Sequence, residues 1–355
     1  MKLSHLTLSS FRSYEQLDLD FSNGVNLFLG PNGSGKTNLA EAIYYLSLAK
    51  SWRSAPDRSL IAYGHDYASI YADVIESGMS RHIEIHISPN GRKILINGKP
   101  IKRLSELSRL VNVVLFTPED VALFKGSPGE RRNFLDVNLS KRSLDYFSLI
   151  GRHNRLLDER NAALKQSEVD HAYLEVITER LIEVGEPLEA YRRVFVDELN
   201  KVLSEVASEL YGHEKKIRVC FHPFVRSGPY KEEALKAYRR SEQYDIVHKL
   251  TSVGLQREDF SLELEGKDIA IYGSQGENRL ASIALKLSPY FLIDEEEKKP
   301  IAVLDDVYSE LDEEHSKNLT ALISSLSQVF VTGNDIRIDG ASTYDVSVHK
   351  ASRRN

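Results

Sequence analysis

Residues 25–37 read VNLFLGPNGSGKT. Five residues suited to a buried strand run into a glycine-rich turn, and Gly30–Thr37 fits the spacing G-x-x-x-x-G-K-[ST]. The chemistry needs that spacing. Gly30, Gly33 and Gly35, with Pro31, Asn32 and Ser34 between them, let backbone N–H groups turn inward around phosphate oxygens. Lys36 then reaches the β- and γ-phosphates, and the Thr37 hydroxyl is placed to ligate Mg²⁺. Leu39, Ala42, Ile43 and Leu46 follow at helical spacing, so the turn opens a helix whose positive end faces the same anion. Strand, loop and helix in this order predict an α/β fold that binds ATP and Mg²⁺.

Composition narrows the rest. At 355 residues the chain exceeds one typical domain. The formal charge of −6 means that any nucleic-acid contact must use a local basic patch. A lone cysteine, Cys220, rules out an internal disulfide framework and suits a reducing cytoplasm. No run approaches the roughly 20 apolar residues that span a bilayer, so a cytoplasmic protein with no membrane partner is expected.

Short strand-like runs surround the loop: Leu3–Phe11, Tyr14–Phe21, Ser69–Ile75, Arg81–Ser88, Lys93–Ile96 and Val111–Phe116. On Arg81–Ser88, His82, Glu84 and His86 fall opposite Ile83, Ile85 and Ile87, the wet face of a half-buried strand. From about Pro118 to Tyr211 the texture turns helical and charged, broken by residues such as Gly185 and Pro187. Strand-like pieces resume at Lys216–Phe221 and Phe260–Tyr272. The layout predicts a head made from both chain ends, residues 1–117 and 251–355, with a mainly helical lobe, 118–250, inserted between them.

Ile301–Asp312 reads IAVLDDVYSELD. A buried strand ending in Asp is the Walker B arrangement: Asp305 holds Mg²⁺, and Asp306 is placed to orient or deprotonate the attacking water. The bland reading of Asp312 is a helix cap. Upstream, Tyr272–Leu280 reads YGSQGENRL. Ser274 and Glu277 make a capping box for a helix carrying Leu280, Ile283, Ala284 and Leu287. A Ser-x-Gly-Glu turn, one helix and then an acidic strand end follow one another.

These motifs together resemble the ABC-type ATPases, whose signature has the form S-x-G-[EQ]. The resemblance implies that Ser274, Gln275, Gly276 and Glu277 cap the γ-phosphate held by the loop of a second copy. It also makes Ser309–Asp312 (SELD) a D-loop communicating across the dimer. Val114–Asp136 (VLFTPEDVALFKGSPGERRNFLD), Ser51–Ile61 (SWRSAPDRSLI) and the opening LSSFRSYEQLDLDF are similar to the RecF family of bacterial recombination-mediator ATPases. That similarity runs along nearly the whole chain. It implies an ABC-type ATPase head, a P-loop core with an N-terminal antiparallel β section, plus an inserted helical lobe. It places Arg12 near the nucleotide phosphates. It further implies an ATP-dependent homodimer on gapped or junction DNA, with RecR and RecO as partners.

Two departures stand out. Thr332 is near the position of a transporter's switch histidine, and the strand end is Asp-Asp where many relatives have Asp-Glu. Both lead to an expectation of slow hydrolysis. An SMC-type structural chromosome ATPase is the alternative, but it needs hundreds of heptad residues between its head halves, and this insert is far shorter. In residues 127–165, eight Lys or Arg outnumber five Asp or Glu. Arg131, Arg132, Lys141, Arg142, Arg152, Arg155 and Arg160 are the candidate DNA-phosphate contacts there. Nothing reads a base sequence, so backbone or junction-shape recognition is expected.

Overall fold

The computed structural model describes residues 1–53, 56–348 and 350–354. Residues 54 and 55 of the Ser51–Ile61 stretch lie outside the described residues. Two compact units divide the chain. The first comprises Met1–Val121, Val202–Lys215 and Gln275–Asn355, and the second Ala122–Lys201 and Lys216–Ser274. The division differs from the expected 118–250 insert at three places. Residues 118–121 and 202–215 group with the first unit, and 251–274 with the second.

The first unit holds two six-stranded sheets. One is antiparallel, ordered Tyr14–Asp20, Lys2–Phe11, Ala68–Glu76, Met79–Ser88, Gly91–Ile96 and Lys99–Pro100. Its alternating pattern buries Ile83, Ile85 and Ile87. On the opposite face the His82 and His86 rings bond Asp73 (2.8 Å) and Ser69 (2.9 Å).

The other sheet runs Lys350–Arg353, Ser342–Ser347, Gly24–Leu29, Gln328–Gly333, Ile301–Leu304 and Val113–Phe116. All its pairings are parallel except the first. Val25–Leu29 and Ile301–Leu304 are buried along their whole length, as strands covered on both faces must be. Phe21, Phe28, Phe330 and Tyr344 meet edge-on or stacked in the core beneath them, each burial worth about 1.5–3 kcal/mol. Parallel strands bring their carboxyl ends to one edge, the usual place for a ligand in such sheets. Gly30, Thr117, Asp305 and Asn334 follow four of those ends.

The second unit contains the helices Pro128–Arg142, Leu144–Leu164 and Tyr230–His248, and a small sheet of Ile217–His222, Asp259–Leu264 and Lys267–Asp268. The run expected as strand through Tyr272 instead ends at Leu264, and Ile269–Tyr272 is a short helix capped by Asp268. The helix His171–Tyr211 continues through Gly185 and Pro187, both expected as breakers. At Gly185 a Cβ would overlap the Tyr230 hydroxyl, so glycine makes room for a neighbouring helix.

Candidate functional site

The phosphate loop is shaped by its own surroundings. A Cβ on Gly30 would overlap the carbonyl oxygen of Val346. Gly33 and Gly35 have left-handed φ of 80° and 108°, which favour glycine. A Cβ on Gly35 would also meet Tyr14 Oη at 2.9 Å. The helix Lys36–Leu48 then starts as expected.

Lys36 Nζ donates to Gly30 O (2.6 Å), Pro31 O (2.9 Å) and Asn334 Oδ1 (3.0 Å). Burial lowers its pKa, opposed by Asp306 and Asp305. Thr37 Oγ1 donates to Asp305 Oδ1 at 3.1 Å, and Thr332 Oγ1 donates to the same oxygen at 2.6 Å. Burial raises the Asp305 pKa, and those two hydroxyls oppose the rise. The structure thus joins Lys36, Thr37 and Asp305 at one sheet edge. Thr332 is buried and also accepts from the Asp306 N–H at 2.9 Å. Its hydroxyl is committed to the acidic strand end. Asp306 has a left-handed φ of 48° and an exposed side chain.

Do these residues fit ATP and Mg²⁺? Ser34 Oγ is buried in the loop with no hydrogen-bond partner among the described residues. A lone buried hydroxyl in such a glycine turn suits an anion that would accept from it. A threonine hydroxyl against a carboxylate is an all-oxygen donor pair, suited to Mg²⁺. They fit.

Arg12 does not point freely into the site. Its Nε and Nη2 make a bidentate pair with the fully buried Glu41 (2.9 and 2.7 Å), and Nη1 donates to Ser59 O. Arg53 approaches the same carboxylate at 3.5 Å and donates to Asn38 at 3.1 Å. Glu41, on the loop's helix, thus anchors both arginines.

The signature helix spans Gln275–Phe291, so Ser274 immediately precedes it and Gly276 is in its first turn. Among the described residues, and beyond the adjoining backbone of its own helix, no atom lies within 4 Å of a Cβ placed on Gly276. Ile271 and Tyr272, just upstream, are 71% and 69% exposed. By contrast Arg279 is buried. It donates to Asp306 O, Val307 O and Ser309 Oγ, each at 3.1 Å, and pairs with Glu310 at 3.2 Å. It ties the signature helix to the segment after the acidic strand. Lys286 of the same helix pairs with Asp120 at 2.6 Å, and Asp120 also caps the strand end at Thr117. Asp312 caps its helix by accepting from His315 N.

The basic candidates separate. Arg131 is buried. It holds Asp259 in a bidentate pair (2.7 and 2.9 Å) and donates to the carbonyls of Leu123 and Gly126. Arg132 donates to Glu258 O at 2.8 Å, and Arg142 pairs with Glu198 at 2.7 Å. Arg160 is buried against Asp245 at 2.8 Å. The expected phosphate-binding roles of Arg131 and Arg160 are corrected on this ground, because both are buried with their donors committed to the fold. Arg132 is half-buried and Arg142 exposed, and neither commits its whole guanidinium to the bonds named. Lys141 is half-buried, whereas Arg152 and Arg155 are exposed on the helix Leu144–Leu164.

Glu41, Arg53, Arg279 and Asn334 escaped the sequence reading. Only Arg279 had a local signal, a charged residue on the apolar stripe of its helix.

The family model described as the RecF/RecN/SMC N terminal domain matches residues 2–347. The DNA replication and repair protein RecF of Lachnospira eligens is 36% identical over 336 residues, covering 93% of this chain and 91% of that protein. The protein of the same name from Lactobacillus johnsonii is 31% identical, covering 95% and 93%. A solved structure of the recombination mediator protein RecF-ATP in the RecFOR pathway superposes with a TM-score of 0.89 at 29% identity, covering 99% of each chain. An Smc head domain from Pyrococcus furiosus, at 19% identity and a TM-score of 0.58, shares the fold.

Proposed function

This chain belongs to the RecF family of SMC-type ATPases, and from that premise we propose that it is an ATP-dependent DNA-binding protein of recombinational repair and replication restart. It works in the cytoplasm as a homodimer closed around ATP. One observation carries the dimer: the signature turn contains a glycine that no neighbour among the described residues requires. Glycine in a helix costs about 1 kcal/mol relative to alanine. A close approach from outside the chain accounts for that cost, and a helix start suits an anion. Ser274 and the Gly276 backbone therefore complete the phosphate site of a second copy, with Gln275 and Glu277 framing the same turn. The exposed Ile271 and Tyr272 border it.

Each residue has a role. Backbone N–H groups of Gly30–Thr37 and the Ser34 hydroxyl cradle the phosphates, and Lys36 neutralises their charge. Thr37 and Asp305 would hold Mg²⁺, which supplies charge neutralisation at the β- and γ-phosphates. Asp306 orients the water and takes its proton. Its short, exposed side chain on a strained backbone favours slow hydrolysis, suited to a switch. Arg12 positions the loop's helix through Glu41 and keeps spare guanidinium donors for phosphate.

The DNA is gapped or junction DNA, held by its backbone, and RecR and RecO are the partners with which this chain helps load recombinase. The RecFOR pathway named for the solved relative supports that assignment. Within the second unit, Lys141, Arg152 and Arg155 are the basic side chains best suited to DNA phosphates.

Sizing by light scattering with Mg-ATP, with and without gapped DNA, tests the reading. Wild type is expected to dimerise. Lys36→Met loses ATP binding and the dimer together. Ser274→Arg still binds ATP but stays monomeric, and normal dimerisation of that variant would sink the trans-capping site.

A further inference from the structure

The three bonds from Lys36 raise a question of supply. An ammonium has three N–H donors and no acceptor. Gly30 O, Pro31 O and Asn334 Oδ1 take all three, at 2.6, 2.9 and 3.0 Å. A phosphate oxygen reaching Lys36 must displace one of them. The two carbonyls belong to the loop, and Gly30 is pressed against Val346, so moving them distorts the cradle itself. Asn334 is different. It follows the strand Gln328–Gly333, which lies between the loop's strand and Ile301–Leu304. It is exposed and lines an open cavity of about 350 Å³ with Pro31, Ile336, Arg337 and Asp345. Ile336 fills the space that a Cβ on Gly333 would take, which folds the chain back and holds Asn334 over the loop.

Resting on the reading of Gly30–Thr37 as a phosphate site, we propose that Asn334 is a latch on Lys36. Its amide oxygen and a phosphate oxygen compete for the same Lys36 donor, and the Asn334 side chain swings into the adjacent cavity when a nucleoside di- or triphosphate binds. A neutral amide suits the task. It satisfies a partly buried ammonium without offering the full negative charge that would compete with phosphate. The latch steadies Lys36 against the loop and moderates nucleotide affinity, which helps a spent nucleotide leave.

The test is ADP binding by calorimetry without DNA, so that dimer closure adds nothing. Removing a bond that phosphate has to displace must strengthen binding. Asn334→Ala is expected to tighten ADP by about three- to tenfold. Asn334→Asp puts a carboxylate on Lys36 and is expected to weaken ADP by about tenfold or more, less so at high salt. Opposite signs are the mark of a latch. A residue that only supports the loop would weaken binding in both variants, and that result, or an unchanged alanine variant, overturns the proposal. Asn334→Ser replaces alanine should that variant not fold, with the same expected sign. Lys36→Met separates the two readings. If wild type binds no ADP, the phosphate-site reading falls and the latch with it. If wild type binds and Lys36→Met does not, the Asn334 variants judge the latch alone.

Discussion

Two glycine turns carry the proposed phosphate contacts of this molecule, and they are built differently. In Gly30–Thr37 the chain demands its glycines: Val346 leaves no room at Gly30, and Gly35 combines a left-handed backbone with Tyr14 close by. In Ser274–Glu277 the chain demands nothing of Gly276, whose surroundings are open. The first turn is complete within one chain. The second has paid its conformational cost without an internal return. A half-site of this kind makes sense when another molecule supplies the rest. The same contrast separates charged side chains. Arg131 is saturated by its own fold, whereas Arg152 and Arg155 are left in solvent.

Gly30→Ala strikes the comparison hardest. The new methyl meets a backbone carbonyl of a central sheet, which cannot rotate away as a side chain would. Overpacking costs about 1–3 kcal/mol, and a rigid backbone neighbour puts this case near the upper end. Urea denaturation is expected to show that loss, and ADP titration a loss of binding. A stable, nucleotide-binding Gly30→Ala protein would mean that the loop is not held as tightly as described.

Charged residues sharpen the contrast in the second unit. Arg131→Ala strands the Asp259 carboxylate and buried carbonyls, and about 3 kcal/mol of stability is expected to go. Arg152→Glu with Arg155→Glu is expected to leave stability within about 0.5 kcal/mol and to weaken retention of gapped DNA. If Arg131→Ala kept full stability yet lost DNA, the assignment of the two groups would be reversed.

Saturation also sets an acid limit on that unit. His153 is buried, and desolvation lowers its pKa from 6.5 to about 4. The unfolded chain therefore binds the proton more readily. Stability from the neutral ring is full above pH 6.5 and drains away as pH falls towards 4, by about 2 kcal/mol at pH 5. Denaturation of wild type and His153→Leu at pH 7 and pH 5 isolates this contribution. The wild type is expected to lose about 2 kcal/mol more than the variant, and equal losses would show that His153 is protonated without penalty.

What the sequence discloses follows the same division. Gly30–Thr37, the strand into Asp305 and the Ser274 turn are local patterns, and each is where its spacing predicts. Residues that act through distant partners left no such trace. Arg131 resembled a DNA contact because Asp259 is remote in sequence, and composition cannot see that pairing. Thr332 invited comparison with a switch histidine, but its hydroxyl serves Asp305, just past the end of the neighbouring strand. Asn334 has no motif at all; parallel pairing of Gln328–Gly333 with Gly24–Leu29 brings it to Lys36. The helix His171–Tyr211 overrides its own glycine and proline, since local breakers weigh little against packing along so long a helix.

Gly276→Ala gives the smallest energy and the sharpest test. In the single chain the methyl enters open space at a helix's first turn. Better helix propensity is expected to stabilise the monomer by up to about 1 kcal/mol, read as a raised urea midpoint. In the proposed dimer the same methyl would stand where a phosphate approaches the backbone. Light scattering with Mg-ATP is therefore expected to show a more stable protein that dimerises less. A destabilised monomer would mean that the fold itself needs this glycine, and the two turns would then be alike.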